Sequence, residues 1–127
     1  MKLNTTARNR DFVRRCFEIY ESHLREGVSL TPDELVGIAL QSRPRAHYLS
    51  FETASKKLHL IERSGIGIVK EAAARAMWTE LRSQVDEVMR VRGNLTFSAA
   101  LSAVLNFGRP TRFYMSEGRA RNIILPY

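Results

Sequence analysis

Apolar residues recur at three- and four-residue intervals along most of this chain, and no convincing period-two run appears. That spacing places them on one face of a helix. The first stripe comprises Phe12, Val13, Cys16, Phe17, Tyr20 and Leu24 and predicts a helix over residues 12–26. Gly27 is its natural stop, because glycine takes the left-handed cap conformation at little cost. A second helix opens at Thr31-Pro32-Asp33-Glu34, where Thr31 caps, Pro32 needs no N–H partner and Glu34 completes a capping box. It carries Leu35, Ile38, Ala39 and Leu40 and ends near Ser42, since Pro44 biases Arg43 away from helical geometry. Residues 43–49 then read as an extended connector. Ser50 caps a third helix with Phe51, Ala54, Leu58 and Ile61 inside.

Ser64-Gly65-Ile66-Gly67 punctuates the middle of the chain. The pattern beyond it predicts a long helix over residues 68–92, with Val69, Ala73, Met77, Leu81, Val85 and Met89 inward and Trp78 at the border. Gly93 ends it. Thr96 caps a fifth helix bearing Leu101, Val104 and Leu105, which Gly108 and Pro110 break. Ser116 caps a short sixth helix reaching Ile124. The expected fold is therefore all-α, with about six helices.

The punctuation repeats. Leu30, Thr31 and Leu40 match Leu95, Thr96 and Leu105. After a one-residue gap, Arg43, Pro44, Tyr48, Ser50 and Ala54 match Arg109, Pro110, Tyr114, Ser116 and Ala120. The common string is R-P-x-x-x-Y-[LM]-S-x-x-x-A, and it falls on caps and breaks, where physics restricts residue choice. The expected organisation is a basic N-terminal arm (residues 1–10) with a mobile start, then two similar three-helix units, residues 11–64 and 65–127, sharing one core. In each unit the Pro ends a helix, the Tyr anchors the connector through its hydroxyl, and the Ala allows close packing.

Charge changes the picture more than composition does. Of 127 residues, 44% are hydrophobic and 26% charged, an ordinary globular balance. The formal net charge is +7, however, which points to an anionic partner. The excess is localised. Residues 1–10, 43–57 and 109–121 each carry a net +3, while the remainder is slightly acidic. The single cysteine, Cys16, excludes an internal disulfide and fits a reducing, cytoplasmic setting. The N-terminus lacks a signal-peptide apolar run. The longest uncharged stretch, Gly93 to Gly108, is too short and polar to span a bilayer.

A capped helix, a connector and a second capped helix behind a longer support helix resemble the trihelical helix-turn-helix DNA-binding proteins, once per half. The connectors are about seven residues, longer than the usual turn of three or four. The resemblance implies that Lys56 and Lys57 lie on one recognition helix and Arg119 and Arg121 on the other. Arg43, Arg45, Arg109 and Arg112 would meet phosphates from the connectors, and Arg8 and Arg10 would follow a groove from the arm. Arg119 and Arg121 are the better base readers, because arginine addresses guanine bidentately. Two units could span neighbouring half-sites within one chain.

Catalytic and metal-binding patterns are not found. His23, His47 and His59 are scattered without metal-ligand spacing. Cys16 sits in an apolar stripe and reads as an inert thiol. Gly65-Ile66-Gly67 lacks the third spaced glycine and the lysine of a phosphate loop. The expectation is a non-enzymatic, regulatory nucleic-acid-binding protein without a cofactor, DNA favoured over RNA. The alternative is an adaptor that binds an acidic protein partner.

Overall fold

The computed structural model describes residues 5–127. Its described residues form six helices and no strand: α1 (Thr5–Arg25), α2 (Pro32–Leu40), α3 (Phe51–Ser64), α4 (Ala72–Arg92), α5 (Phe97–Phe107) and α6 (Glu117–Ile124). No described helix is long and apolar enough to cross a membrane. A short 3-10 turn, Ile66–Ile68, precedes α4. Helix α4 therefore starts later than its apolar pattern predicts, and Val69 packs into the core from extended backbone. Helix α1 starts earlier. Residues 5–10 are its first turns rather than an arm, and the proposed mobile start with Lys2 lies outside the described residues.

The predicted caps hold. Thr31 accepts from the Glu34 N–H while the Glu34 carboxylate accepts from the Thr31 N–H, a complete capping box. Ser50, Thr96 and Ser116 accept from the N–H groups of Thr53, Ala99 and Arg119. Gly27 and Gly93 end α1 and α4 at φ of 79° and 73°, where a Cβ would be strained. Gly108 answers a different need. A Cβ there would lie 2.7 Å from the Val104 carbonyl oxygen.

The helices do not group in chain order. One apolar cluster joins α3, α4 and α5, centred on Leu58, Trp78, Leu81, Val85 and Leu101. The other joins α1, α2 and α6 through Phe12, Cys16, Ile19, Val36, Ala39 and Ala120. Thus α3 leaves α1 and α2 to pack on α5, and α6 leaves α4 and α5 to pack on α2 and α1. Of the expected units, residues 11–64 pack their last helix with α4 and α5, and residues 65–127 pack theirs with α1 and α2. The described buried apolar residues form two clusters.

The exchange shifts some faces. Phe17, Tyr20 and Leu24 are exposed, because the buried stripe of α1 is Phe12, Cys16 and Ile19. Ile38 and Phe51 are also exposed, whereas Val36 is buried.

Candidate nucleic-acid interface

The two connectors, residues 41–50 and 108–116, meet between the clusters. Arg43 donates through Nε to the Pro110 carbonyl (3.2 Å) and through Nη2 to the Arg109 carbonyl (3.3 Å). Arg109 returns the arrangement, donating to the carbonyls of Pro44 (2.6 Å) and Arg43 (3.1 Å). The pair forms a reciprocal brace in which each exposed arginine turns Nε and Nη2 toward the other connector.

Each connector is also tied to the support helix of its own half. The Asp11 carboxylate of α1 accepts from the Arg45 N–H (2.8 Å), the Tyr48 hydroxyl (2.7 Å) and Arg14 (2.6 Å). Burial pushes its pKa up, but these donors outweigh it and leave the carboxyl below its ordinary value. Tyr48 takes φ of 58°, uncommon for a bulky side chain, and its hydroxyl bond to Asp11 holds it there. Burial and that same bond raise the Tyr48 pKa to about 12. In the second connector, Glu80 of α4 accepts from the Thr111 N–H (2.8 Å) and hydroxyl (2.5 Å).

Each connector then reaches across. The buried His47 donates through Nε2 to the Gln84 side-chain oxygen of α4 (2.7 Å). Burial pushes its pKa down, which keeps the ring neutral. Phe113 meets Phe12 of α1 edge to face, ring centroids 5.2 Å apart. The packing role expected for His47 is therefore met, with a hydrogen bond that its spacing did not announce. Cys16 is buried, and burial raises its thiol to about 11, so it is an unreactive thiol.

The ten sequence-predicted contact residues divide into five groups. Arg43 and Arg109 form the brace. Lys56 and Arg121 are in exposed ion pairs, with Glu52 at 3.0 Å and Asp33 at 2.9 Å. Such pairs are weak and readily exchanged. Arg112 lies over the Tyr114 ring, 4.9 Å from its centroid, with its charge still presented. Arg10, Arg45, Lys57 and Arg119 make no side-chain hydrogen bond or ion pair among the described residues. Arg8 is buried to 8% exposure, and among the described residues its side chain bonds to Asn9 alone. Burial and then the nearby charge of Arg119 push its pKa down, with Glu71 opposing. The start of α1 and helix α6, over a hundred residues apart in sequence, thus share one basic region. The structure does not bring Lys56 and Lys57 of α3 into that region.

Comparison of the chain with protein-family models, with curated proteins and with solved structures finds no match.

Proposed function

We propose that this chain is a non-enzymatic nucleic-acid-binding protein, duplex DNA favoured, whose two halves are one structural repeat arranged about an approximate two-fold axis. The observation that carries the binding reading is the packing of α6 against α1, which sets the charge of Arg119 near the buried Arg8. Glu71 acts on Arg8 in the opposite sense, but no carboxylate hydrogen-bonds either side chain among the described residues. Like charges held together cost stability unless an anion arrives. Arg10 and Arg45 add exposed, unpaired charge from α1 and from the first connector.

The two-fold reading rests on paired relations. The Arg43 and Arg109 bonds are reciprocal. Arg45 and Thr111 each donate a backbone N–H to an acid of their own support helix. His47 and Phe113 each reach the opposite one. Helices α3 and α6 are exchanged. Seven residues separate each brace arginine from the following cap, so each last helix starts within about 25 Å of the brace. That reach accommodates half-sites one helical turn apart, about 34 Å. The charge itself is unequal: unpaired Arg10 and Arg119 lie on α1 and α6, which pack together, so that end would supply the tighter grip.

Fluorescence anisotropy with a mixed-sequence duplex tests this. Affinity should fall steeply with salt, and Arg119→Ala with Arg10→Ala should lower the slope of log K against log salt by about 2, roughly one per lost phosphate contact. Absence of binding at low salt would overturn the reading. Retention of an acidic polypeptide but not of DNA would favour an adaptor.

A further inference from the structure

A cavity opens in the α1–α2–α6 cluster that neither the brace nor the basic region uses. Its volume is about 420 Å³, within the range of small-molecule sites, about 300–1,000 Å³. Its wall is mainly apolar and aromatic: Phe17 and Tyr20 from α1, Leu35 from α2, Ile124 from α6, and Tyr127 beyond it. Phe17 and Tyr127 meet edge to face with centroids 5.9 Å apart, which shapes one side. Phe17 remains half exposed, so the cavity is accessible from solvent.

The other cluster offers an internal comparison. Thr31 and Thr96 cap α2 and α5 in the same way, and the next residue differs. There it is Phe97, which packs against the α3–α4–α5 core and meets the His59 ring at 5.0 Å. Here it is Pro32, a cavity-lining residue too small to fill that corner. The charge is also specific. Arg121 is the one charged side chain among those lining the cavity, and its partner Asp33 is exposed and lies outside the lining. Cys16, also in the wall, is a neutral thiol.

We infer that this cavity is a binding site for a small aromatic carboxylate, its ring seated where Pro32 leaves space and its carboxylate paired with Arg121. The ring gains apolar burial between Phe17, Tyr20 and Leu35. The carboxylate exchanges with the exposed Asp33 for the Arg121 fork, which favours a planar two-oxygen acceptor. An aromatic amine would meet the same cation and be repelled. An alcohol would keep the ring contacts and lose the charge.

The probes are 3-phenylpropionate and its alcohol, 3-phenylpropan-1-ol, titrated into the full chain and followed by amide chemical shifts. The inference expects saturable shifts of Leu30, Leu35 and Ile124 with the carboxylate, and binding about tenfold weaker with the alcohol. Arg121→Gln should weaken the carboxylate about tenfold and leave the alcohol unchanged. Pro32→Phe, which imitates Phe97, should abolish binding of both, with folding checked by the thermal midpoint. Arg121→Gln keeps the test decisive where Pro32→Phe fails to fold. Shifts that do not saturate, shifts elsewhere on the molecule, or equal binding of acid and alcohol would overturn it.

Discussion

The Arg43–Arg109 brace separates two roles that its sequence leaves open, a phosphate contact and a structural tie. Replacing either arginine by alanine removes two hydrogen bonds from a charged donor to backbone carbonyls. The consequences are unequal. Arg109→Ala orphans the carbonyls of Pro44 and Arg43, and Pro44 is buried. Arg43→Ala also frees the carbonyl of a buried proline, Pro110, but it is milder because the Arg109 carbonyl still accepts from Gln84 Nε2 at 2.9 Å. The Arg43 bonds are also the longer ones, 3.2 and 3.3 Å against 2.6 and 3.1 Å. Buried bonds to charged groups contribute about 1.5–3 kcal/mol each, and partial exposure reduces this. The expected losses are about 2–3 kcal/mol for Arg109→Ala and about 1 kcal/mol for Arg43→Ala. Urea unfolding measures them, with an unchanged m-value showing that the unfolded reference is the same. The double variant should depart from additivity by about 0.5 kcal/mol or more, since each arginine donates to the main-chain carbonyl of the other. Salt-dependent anisotropy supplies the counter-test. Stability losses below about 0.5 kcal/mol, together with a salt slope reduced by about one per arginine, would refute the brace and restore phosphate contact.

Other outcomes follow from neighbouring geometry. Asp11→Asn should cost about 2–4 kcal/mol by weakening the acceptor of two connector donors, and a cycle with Tyr48→Phe should show coupling above about 1 kcal/mol; additive losses would exclude the shared bond. His47 is held neutral with its pKa below the ordinary 6.5, so its contribution is complete above that pH and is lost as pH falls from there through the folded value. The stability slope between pH 6.5 and 5 should therefore flatten in His47→Phe, as followed by urea midpoints against pH. Gly108→Ala should cost about 1–3 kcal/mol from the close Val104 carbonyl, measured by thermal unfolding, although its backbone conformation suits any residue.

How much of this was legible in the sequence depends on how local the physics is. The Thr31, Ser50, Thr96 and Ser116 caps each involve bonds within three residues, and all four were readable. The start of α1 is misplaced in the sequence reading because Thr5–Arg10 has few apolar residues to announce a helix, and its one buried side chain is the charged Arg8. The start of α4 failed the other way. Val69 fits the apolar stripe at helical spacing but reaches the core from the 3-10 turn. The ten basic residues were visible, yet their partners were not. Nothing in R-P-x-x-x-Y tells that its arginine bonds the carbonyls of its own counterpart.

The exchange of α3 and α6 was hidden for a more specific reason, which follows from the proposed repeat. The two helices share a Ser cap and an inward Ala, so these signals do not mark which slot each one fills. A connector of about seven residues is long enough to reach the near slot or the far one. Local sequence then leaves the pairing undecided, and contacts that differ between the halves must decide it. His47 finds an acceptor in Gln84 of α4, and α1 offers Phe12 to Phe113. Histidine in the second connector would put a polar ring against Phe12 with no acceptor, and phenylalanine in the first would orphan the Gln84 oxygen. His47→Phe combined with Phe113→His should thus destabilise by more than either change alone, with the summed side-chain volume of the two sites unchanged. If the double swap proved neutral by urea unfolding, the two slots would be interchangeable, and the grouping of helices would have to be set elsewhere.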